Sequence, residues 1–261
     1  MKKSPLYQVD AFTDHLFGGN PAAVCPLTEW LPGETMQKIA MENNLSETAF
    51  FIRKDEHFEI RWFTPLVEVD LCGHATLASA HVIFHHTGYS GSSISFRSRS
   101  GILKVTRDED LITLNFPADT IIPAEPPGKL IESLGIRPKE TYSGKTDLML
   151  VLEDQRSIEM LDPDFGLMKR SGGRGVIVTA RGDEADFVSR FFAPQVGVDE
   201  DPVTGSAHTT MIPYWAEKLG KSYMTAIQLS KRKGHLWCRH LGDRVEISGK
   251  AKTYLEGEIL I

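Results

Sequence analysis

Glu47 stands in Asn44-Leu45-Ser46-Glu47-Thr48-Ala49-Phe50-Phe51, where a helical run ends and an apolar strand begins. Apolar neighbours exclude water, and desolvation raises a carboxyl pKa towards working pH. A carboxyl so placed can take a proton and give it back. The same residue in a solvated turn would do neither, and the segment alone leaves both readings open. A second segment, Asp70-Leu71-Cys72-Gly73-His74-Ala75-Thr76, sets a glycine ahead of an apolar helix. Glycine lets a ligand approach the backbone, and the unpaired first-turn N–H groups with the helix dipole favour an anion. His74 falls in that first turn, where a cation is disfavoured. It reads as a neutral donor or proton relay, or as a half-buried residue of a plain cap.

Asp199-Glu200-Asp201-Pro202-Val203-Thr204-Gly205-Ser206-Ala207 again leads through glycine into an apolar helix. Thr204 or Ser206 can cap it or meet a ligand oxygen, and the three acids suit the dipole's field even in a structural role. Gly18-Gly19-Asn20-Pro21 reads as a tight turn between strands, either structural or facing a ligand. It lacks the spacing of a phosphate-binding loop. The sequence has no GxSxG, HExxH or Rossmann glycine pattern, and the adjacent pair His85-His86 does not face one ligand from a helix. No metal, nucleotide or flavin site is indicated.

The elements that must position these residues show a repeat. Arg61-Trp62-Phe63-Thr64-Pro65-Leu66-Val67-Glu68-Val69-Asp70 matches Arg190-Phe191-Phe192-Ala193-Pro194-Gln195-Val196-Gly197-Val198-Asp199 at six of ten positions, offset by 129. Gly73-His74-Ala75 then matches Gly205-Ser206-Ala207 at an offset of 132. Self-similarity over half the length implies one fold unit used twice. Two facing halves would leave a cleft, the usual place for a small ligand, and the two helix N-termini would confront each other there. Glu47 has no counterpart: an offset of 129 lands near Val176.

Strand-like runs are expected at 7–12, 49–53, 58–63, 94–97, 102–106 and 111–116, then at 148–152, 175–179, 187–192, 235–238, 244–247 and 258–261. Helices are expected at 34–43, 75–86, 129–134, 163–169 and 207–219, with Pro213 as a kink in the last. Ala75–His86 and Ala207–Leu219 are apolar nearly all round and so are read as central helices wrapped by strands. The three prolines of Ile121–Gly128 mark a linker without helix or central strand. The expected domains are 1–118 and 127–261, with the last strand able to cross back.

Hydrophobic residues make up 41% of the 261 and charged residues 25%, which suits a globular protein with real cores. A net charge of -6 without a basic stripe argues against nucleic acid or anionic membrane as the main partner. Cys25, Cys72 and Cys238 are far apart and suggest neither a disulfide scaffold nor zinc, so a reducing cytoplasmic setting is expected. Met1-Lys2-Lys3-Ser4-Pro5 lacks the apolar stretch of a signal peptide, and no apolar run reaches membrane-spanning length.

Together, in order, Phe12-Thr13-Asp14 with Phe17 to Val24, Asn44 to Phe50, Leu71 to Leu77, and Phe191 to Ala207 resemble the phenazine biosynthesis PhzF-like family. The set spans essentially the whole chain. The resemblance implies a diaminopimelate epimerase-like α+β fold: two similar β-barrel-like domains, each around a central helix, related by a pseudo-twofold, with the active site between them. It implies Glu47 as general acid/base, with His74 and Asp201 beside it holding the substrate and tuning it. Ser46, Gly73, Gly205, Ser206 and Asn20 are the matching substrate-binding positions. The implied reaction moves a proton between carbons of a small amino or hydroxy carboxylic acid, with no cofactor and no metal. A homodimer is implied as well.

Racemase relatives use two thiols, one ahead of each of these glycines. Here Cys72 holds the first place and Pro202-Val203-Thr204 lacks the second, so two-thiol racemisation is not expected. Two alternatives remain: an epimerase with Cys72 as a base, and a ligand-binding protein without turnover.

Overall fold

The computed structural model describes residues 3–261. Met1 and Lys2, the start of the segment read for a leader, lie outside the described residues. The chain forms two compact units. One runs to Asn115 and takes in Ser248–Ile261; the other is Phe116–Ile247.

In the first unit β1 (Lys3–Ala11) pairs antiparallel with β2 (Asn20–Leu27). Gly19 turns the chain into β2 at φ +59, and a Cβ there would stand 2.0 Å from the Ala11 carbonyl oxygen, so only glycine fits. Helix α1 (Gly33–Asn43) ends on Asn44 in the left-handed region, whose N–H reaches the Ala40 carbonyl. This return lets β3 (Glu47–Arg53) pair parallel with β2, with Ala22 opposite Glu47. β4 (Phe58–Phe63) runs antiparallel to β3, followed by the two-residue β5 (Glu68–Val69). In α2 (Gly73–His86) every residue from His74 to Phe84 is buried, as an all-round apolar helix requires. β6 (Ser93–Ser98) pairs parallel with β4, then antiparallel with β7 (Gly101–Asp108), which pairs with β8 (Leu111–Pro117).

The second unit starts with β9 (Ile122–Pro123), a two-residue strand against β10 (Glu140–Ser143). The proline-rich linker, read as free of helix and central strand, thus holds a two-residue strand. A strand paired on two residues needs few donors and tolerates Pro123. After α3 (Gly128–Leu134), β11 (Asp147–Val151) pairs antiparallel with β10. α4 (Gln155–Glu159) and α5 (Phe165–Met168) are each capped by an aspartate, Asp154 and Asp164, accepting from the backbone N–H three residues on. β12 (Gly175–Arg181) is parallel to β11 with Asp147 opposite Gly175, and β13 (Phe187–Phe192) is antiparallel to β12. After α6 (Gly205–Leu219), β14 (Tyr223–Gln228) pairs parallel with β13 and antiparallel with β15 (Gly234–His240), before β16 (Arg244–Gly249). The order of pairings is the same in both units: antiparallel, parallel, antiparallel, parallel, antiparallel.

β17 (Ala251–Leu260) runs antiparallel to β1 along its whole length and so belongs to the first unit. The expected domains left this strand able to cross back, and its hydrogen-bond partner lies at the other end of the chain. β2, β10, β14 and α4 were not anticipated. β2 is buried over Ala22–Cys25 and shows no alternation to read.

The repeated Arg-x-Phe segments do the same job in each unit. Arg61 binds Glu68 through two bonds of 2.7 Å and lies over Phe63; Arg190 binds Glu200 at 2.7 and 3.0 Å and lies over Phe192. Each arginine ties a strand to the loop that leads into the following helix. Pro213 does not end α6. Its missing N–H leaves the Thr209 carbonyl without an intrahelical donor, and the Asp119 N–H fills that place at 3.1 Å.

Candidate active site

Glu47 is the first residue of β3, and the αL turn at Asn44 aims it away from α1. His74 is the second residue of α2. Glu47 Oε2 lies 3.1 Å from His74 Nε2, with the two side chains 18% and 5% exposed. Both atoms are buried and neither has an aligned hydrogen bond within the described residues. On the other edge of the ring, His74 Nδ1 is 3.1 Å from the Asn20 amide and 3.6 Å from Cys72 Sγ. An amide carries both a donor and an acceptor, so Asn20 can serve a neutral or a charged imidazole.

Burial works against a charged His74. The negative charges beside it, Cys72 as a thiolate and Glu47, outweigh burial and hold its pKa well above the ordinary histidine value; while Cys72 is a thiol, the Glu47 carboxylate is the charge present. The sequence reading of a neutral His74 took account of the helix dipole alone; the Glu47 carboxylate at 3.1 Å favours the charged form instead. Burial, with the Glu47 charge added, pushes the Cys72 thiol up to about 11. At neutral pH Cys72 is therefore a thiol.

Donor atoms of Glu47, Cys72 and His74 all lie within 4.8 Å of one another. Cys72 Sγ is nearest Nδ1 and Glu47 Oε2 is nearest Nε2.

Ser46 lies half-buried in the turn before Glu47. Neither α2 nor α6 has a side-chain cap, and of the two roles read for Thr204 and Ser206, capping α6 or meeting a ligand oxygen, the first is not taken up at Thr204. The Thr204 hydroxyl donates instead to Asp201 Oδ2 at 2.5 Å, and its N–H donates to Gln228 Oε1 at 2.8 Å. Both helices are braced from within: Thr76 bonds the Cys72 carbonyl at 2.5 Å and His208 the Thr204 carbonyl at 2.8 Å. Of the acidic trio, Glu200 is held by Arg190 and Asp201 by Thr204, with the Gln228 amide on the Asp201 carbonyl at 2.7 Å. Ser206, after Gly205 in the first turn of α6, accepts from Arg174 at 3.2 Å. Arg174 is oriented by buried Asp147, bonded through Nε at 2.9 Å and also through Nη2.

Arg174, Asp147 and Gln228 escaped the sequence reading. One signal was present. Glu47 and Gly175 open corresponding strands, so Ser46-Glu47 in one unit stands where Arg174-Gly175 stands in the other.

The pattern of the phenazine biosynthesis-like proteins, PhzC-PhzF, matches residues 9–257. The chain belongs to that family. An isomerase of Pseudomonas aeruginosa, named as uncharacterized, is 52% identical over 97% of this chain and 98% of its own. The crystal structure of a phenazine biosynthesis protein of the PhzF family from Enterococcus faecalis is 46% identical, with a TM-score of 0.95 over 100% of both chains. A hydroxyproline epimerase from Agrobacterium vitis shares the fold alone, with 10% identity and a TM-score of 0.63 over 98% of this chain and 92% of its own. The α+β, diaminopimelate epimerase-like fold and the isomerase class are thereby given for this PhzF-family chain. Among the described residues no helix is long and apolar enough to cross a membrane.

Proposed function

We propose that this PhzF-family isomerase moves a proton between carbons of a small amino or hydroxy carboxylic acid, with Glu47 as general acid/base. The supporting observation is the buried Glu47 Oε2, without an aligned hydrogen bond and 3.1 Å from His74 Nε2. With Oε2 turned to His74, the 18% of the side chain that stays exposed lies on its other atoms, and the second carboxylate oxygen is the one offered to a substrate C–H. In the forward step the C–H bond breaks, an O–H bond forms on Glu47, and the electron pair spreads into the conjugated acid. In the return step the O–H breaks and a C–H forms at another carbon, so no proton or electron is gained or lost. His74 holds the carboxylate in place through Nε2, and Asn20 steadies the ring from Nδ1. Asp201, Gly205 and Ser206 enter this reading as substrate-binding groups on resemblance alone.

The test is incubation with pooled small carboxylic acids in D₂O, followed by detection of deuterium at carbon. The wild-type protein labels a substrate, and Glu47→Gln loses about 10²- to 10⁴-fold in that rate, the range for a general base. Labelling by Glu47→Gln at the wild-type rate removes Glu47 as the base. Labelling abolished in Cys72→Ala instead favours the epimerase reading. A ligand that binds and is never converted favours a protein without turnover.

A further inference from the structure

At the far end of α2 from His74, the first unit has a half-open cavity of about 300 Å³. Its walls are His81, His85 and His86 of α2, Asp110 from the β7–β8 turn, and Lys250, Lys252 and Thr253 at the start of β17. These imidazoles lie seven to twelve residues beyond His74, about 10–18 Å along the helix axis. The cavity is thus apart from the Glu47–His74 pair.

The rings are fixed in advance. Thr253 Oγ1 lies 2.9 Å from Nε2 of both His81 and His86. A hydroxyl has one proton, so it donates to one ring and accepts from the other, which orients both. The His81 and His85 rings are 4.5 Å apart at their centroids. The lining sets two ammoniums, Lys250 and Lys252, against one carboxylate, Asp110, and among the described residues neither lysine is in an ion pair. A second carboxylate, Glu256, faces His86 Nδ1 at 3.5 Å from outside the lining. Burial, then the neighbouring charges of His85, His86 and Lys252, pushes His81 down to about 3. His85 is also lowered, by burial and then by Arg107 and His86. At neutral pH His81 and His85 are therefore neutral, and an anion placed here would take its charge attraction from the two ammoniums and a ring N–H from His85.

We propose that this cavity binds a small, multiply charged oxyanion, a phosphate ester or a polycarboxylate, between Lys250, Lys252 and the His85 imidazole, with His86 held beside it by Thr253 and Glu256. A divalent cation is the opposite alternative. The two lysines oppose it, and among the described residues the three histidines do not come together as a metal-binding group.

Proton NMR of the histidine ring protons tests this on the intact chain, with inorganic phosphate and citrate as probes in separate titrations. Saturable shifts of the His85 and His86 signals, with His74 unmoved, support the site. Saturation by phosphate alone assigns the phosphate class, and by citrate alone the polycarboxylate class. Lys252→Ala, at an exposed position, weakens the binding by about tenfold, as loss of one nearby charge predicts. Lys250→Ala with Lys252→Ala abolishes it while the remaining histidine signals keep their folded positions. Three outcomes overturn the proposal: no saturable shift with either probe, equal shifts in the double variant, or saturation by Zn²⁺ where both anions fail.

Discussion

Glu200 and Asp201 are neighbours in sequence, yet Arg190 takes Glu200 through two parallel hydrogen bonds while Thr204 takes Asp201 through one. The acidic run ahead of α6 is thus divided between a strand clamp and a short turn. Arg190 is 12% exposed and also donates to the Ile158 and Leu161 carbonyls. Removing its carboxylate leaves a guanidinium confined with too few acceptors. Glu200→Ala is expected to cost about 3 kcal/mol, within the range for breaking a buried pair, in urea denaturation. A change under about 0.5 kcal/mol would mean that the clamp is solvated.

The pairing of His74 with Glu47 predicts a pH signature. The folded pKa of His74 is raised, so its contribution to stability is complete below the unfolded value of about 6.5 and is lost as pH rises through the higher folded value. Glu47→Gln removes the facing charge and lets His74 titrate lower. Its stability should then gain less than the wild type's between about pH 8 and about pH 6. The His74 C2 proton, followed by NMR, should move its midpoint down in the variant. An unchanged midpoint would show that Glu47 does not govern this ring.

Cys72 should be a poor nucleophile in the folded protein. With its thiol near 11, its thiolate fraction at about pH 7.5 is about two orders of magnitude below that of a free cysteine. Burial also pushes Cys25 up to about 12 and raises Cys238. Iodoacetamide should leave all three unmodified over a period that alkylates them fully in urea, as read by intact mass. Fast modification of Cys72, with protection by a substrate, would turn the argument toward a thiol base.

Asp119 accepts from the Thr210 hydroxyl at 2.9 Å and from the Lys145 and Thr120 N–H groups. Asp119→Ala leaves these donors without their acceptor and is expected to cost about 1–3 kcal/mol. Hydrogen exchange should rise around Thr210 and Lys145 and stay unchanged in α1. Uniform exchange across both regions would place the effect elsewhere.

Much of the site could be read locally. Glu47 and His74 each carry their own context: a helix end before an apolar strand, and a glycine before an apolar helix. Their distance from each other could not be read, because it depends on β2 lying parallel to β3 and on α2 packing against both. Arg174 meets Ser206 across 32 positions and Gln228 meets Thr204 across 24, so no window of sequence contains either pair. β17 was foreseen only at its last residues, since its exposed, mixed face shows no clear period and its partner is the first strand of the chain. The charge state of His74 was read without Glu47 for the same reason: the helix is local and the carboxylate is not.

The bond from the Asp119 N–H to the Thr209 carbonyl fastens α6 partway along its length, at the rung that Pro213 leaves open. Sliding the helix along its axis would break that bond, whereas tilting about it need not. Gly205 sits four residues away, a lever arm of about 6 Å. The first turn of the helix thus lies within one turn of a point anchored from outside, and the position of the proline sets where that anchor falls.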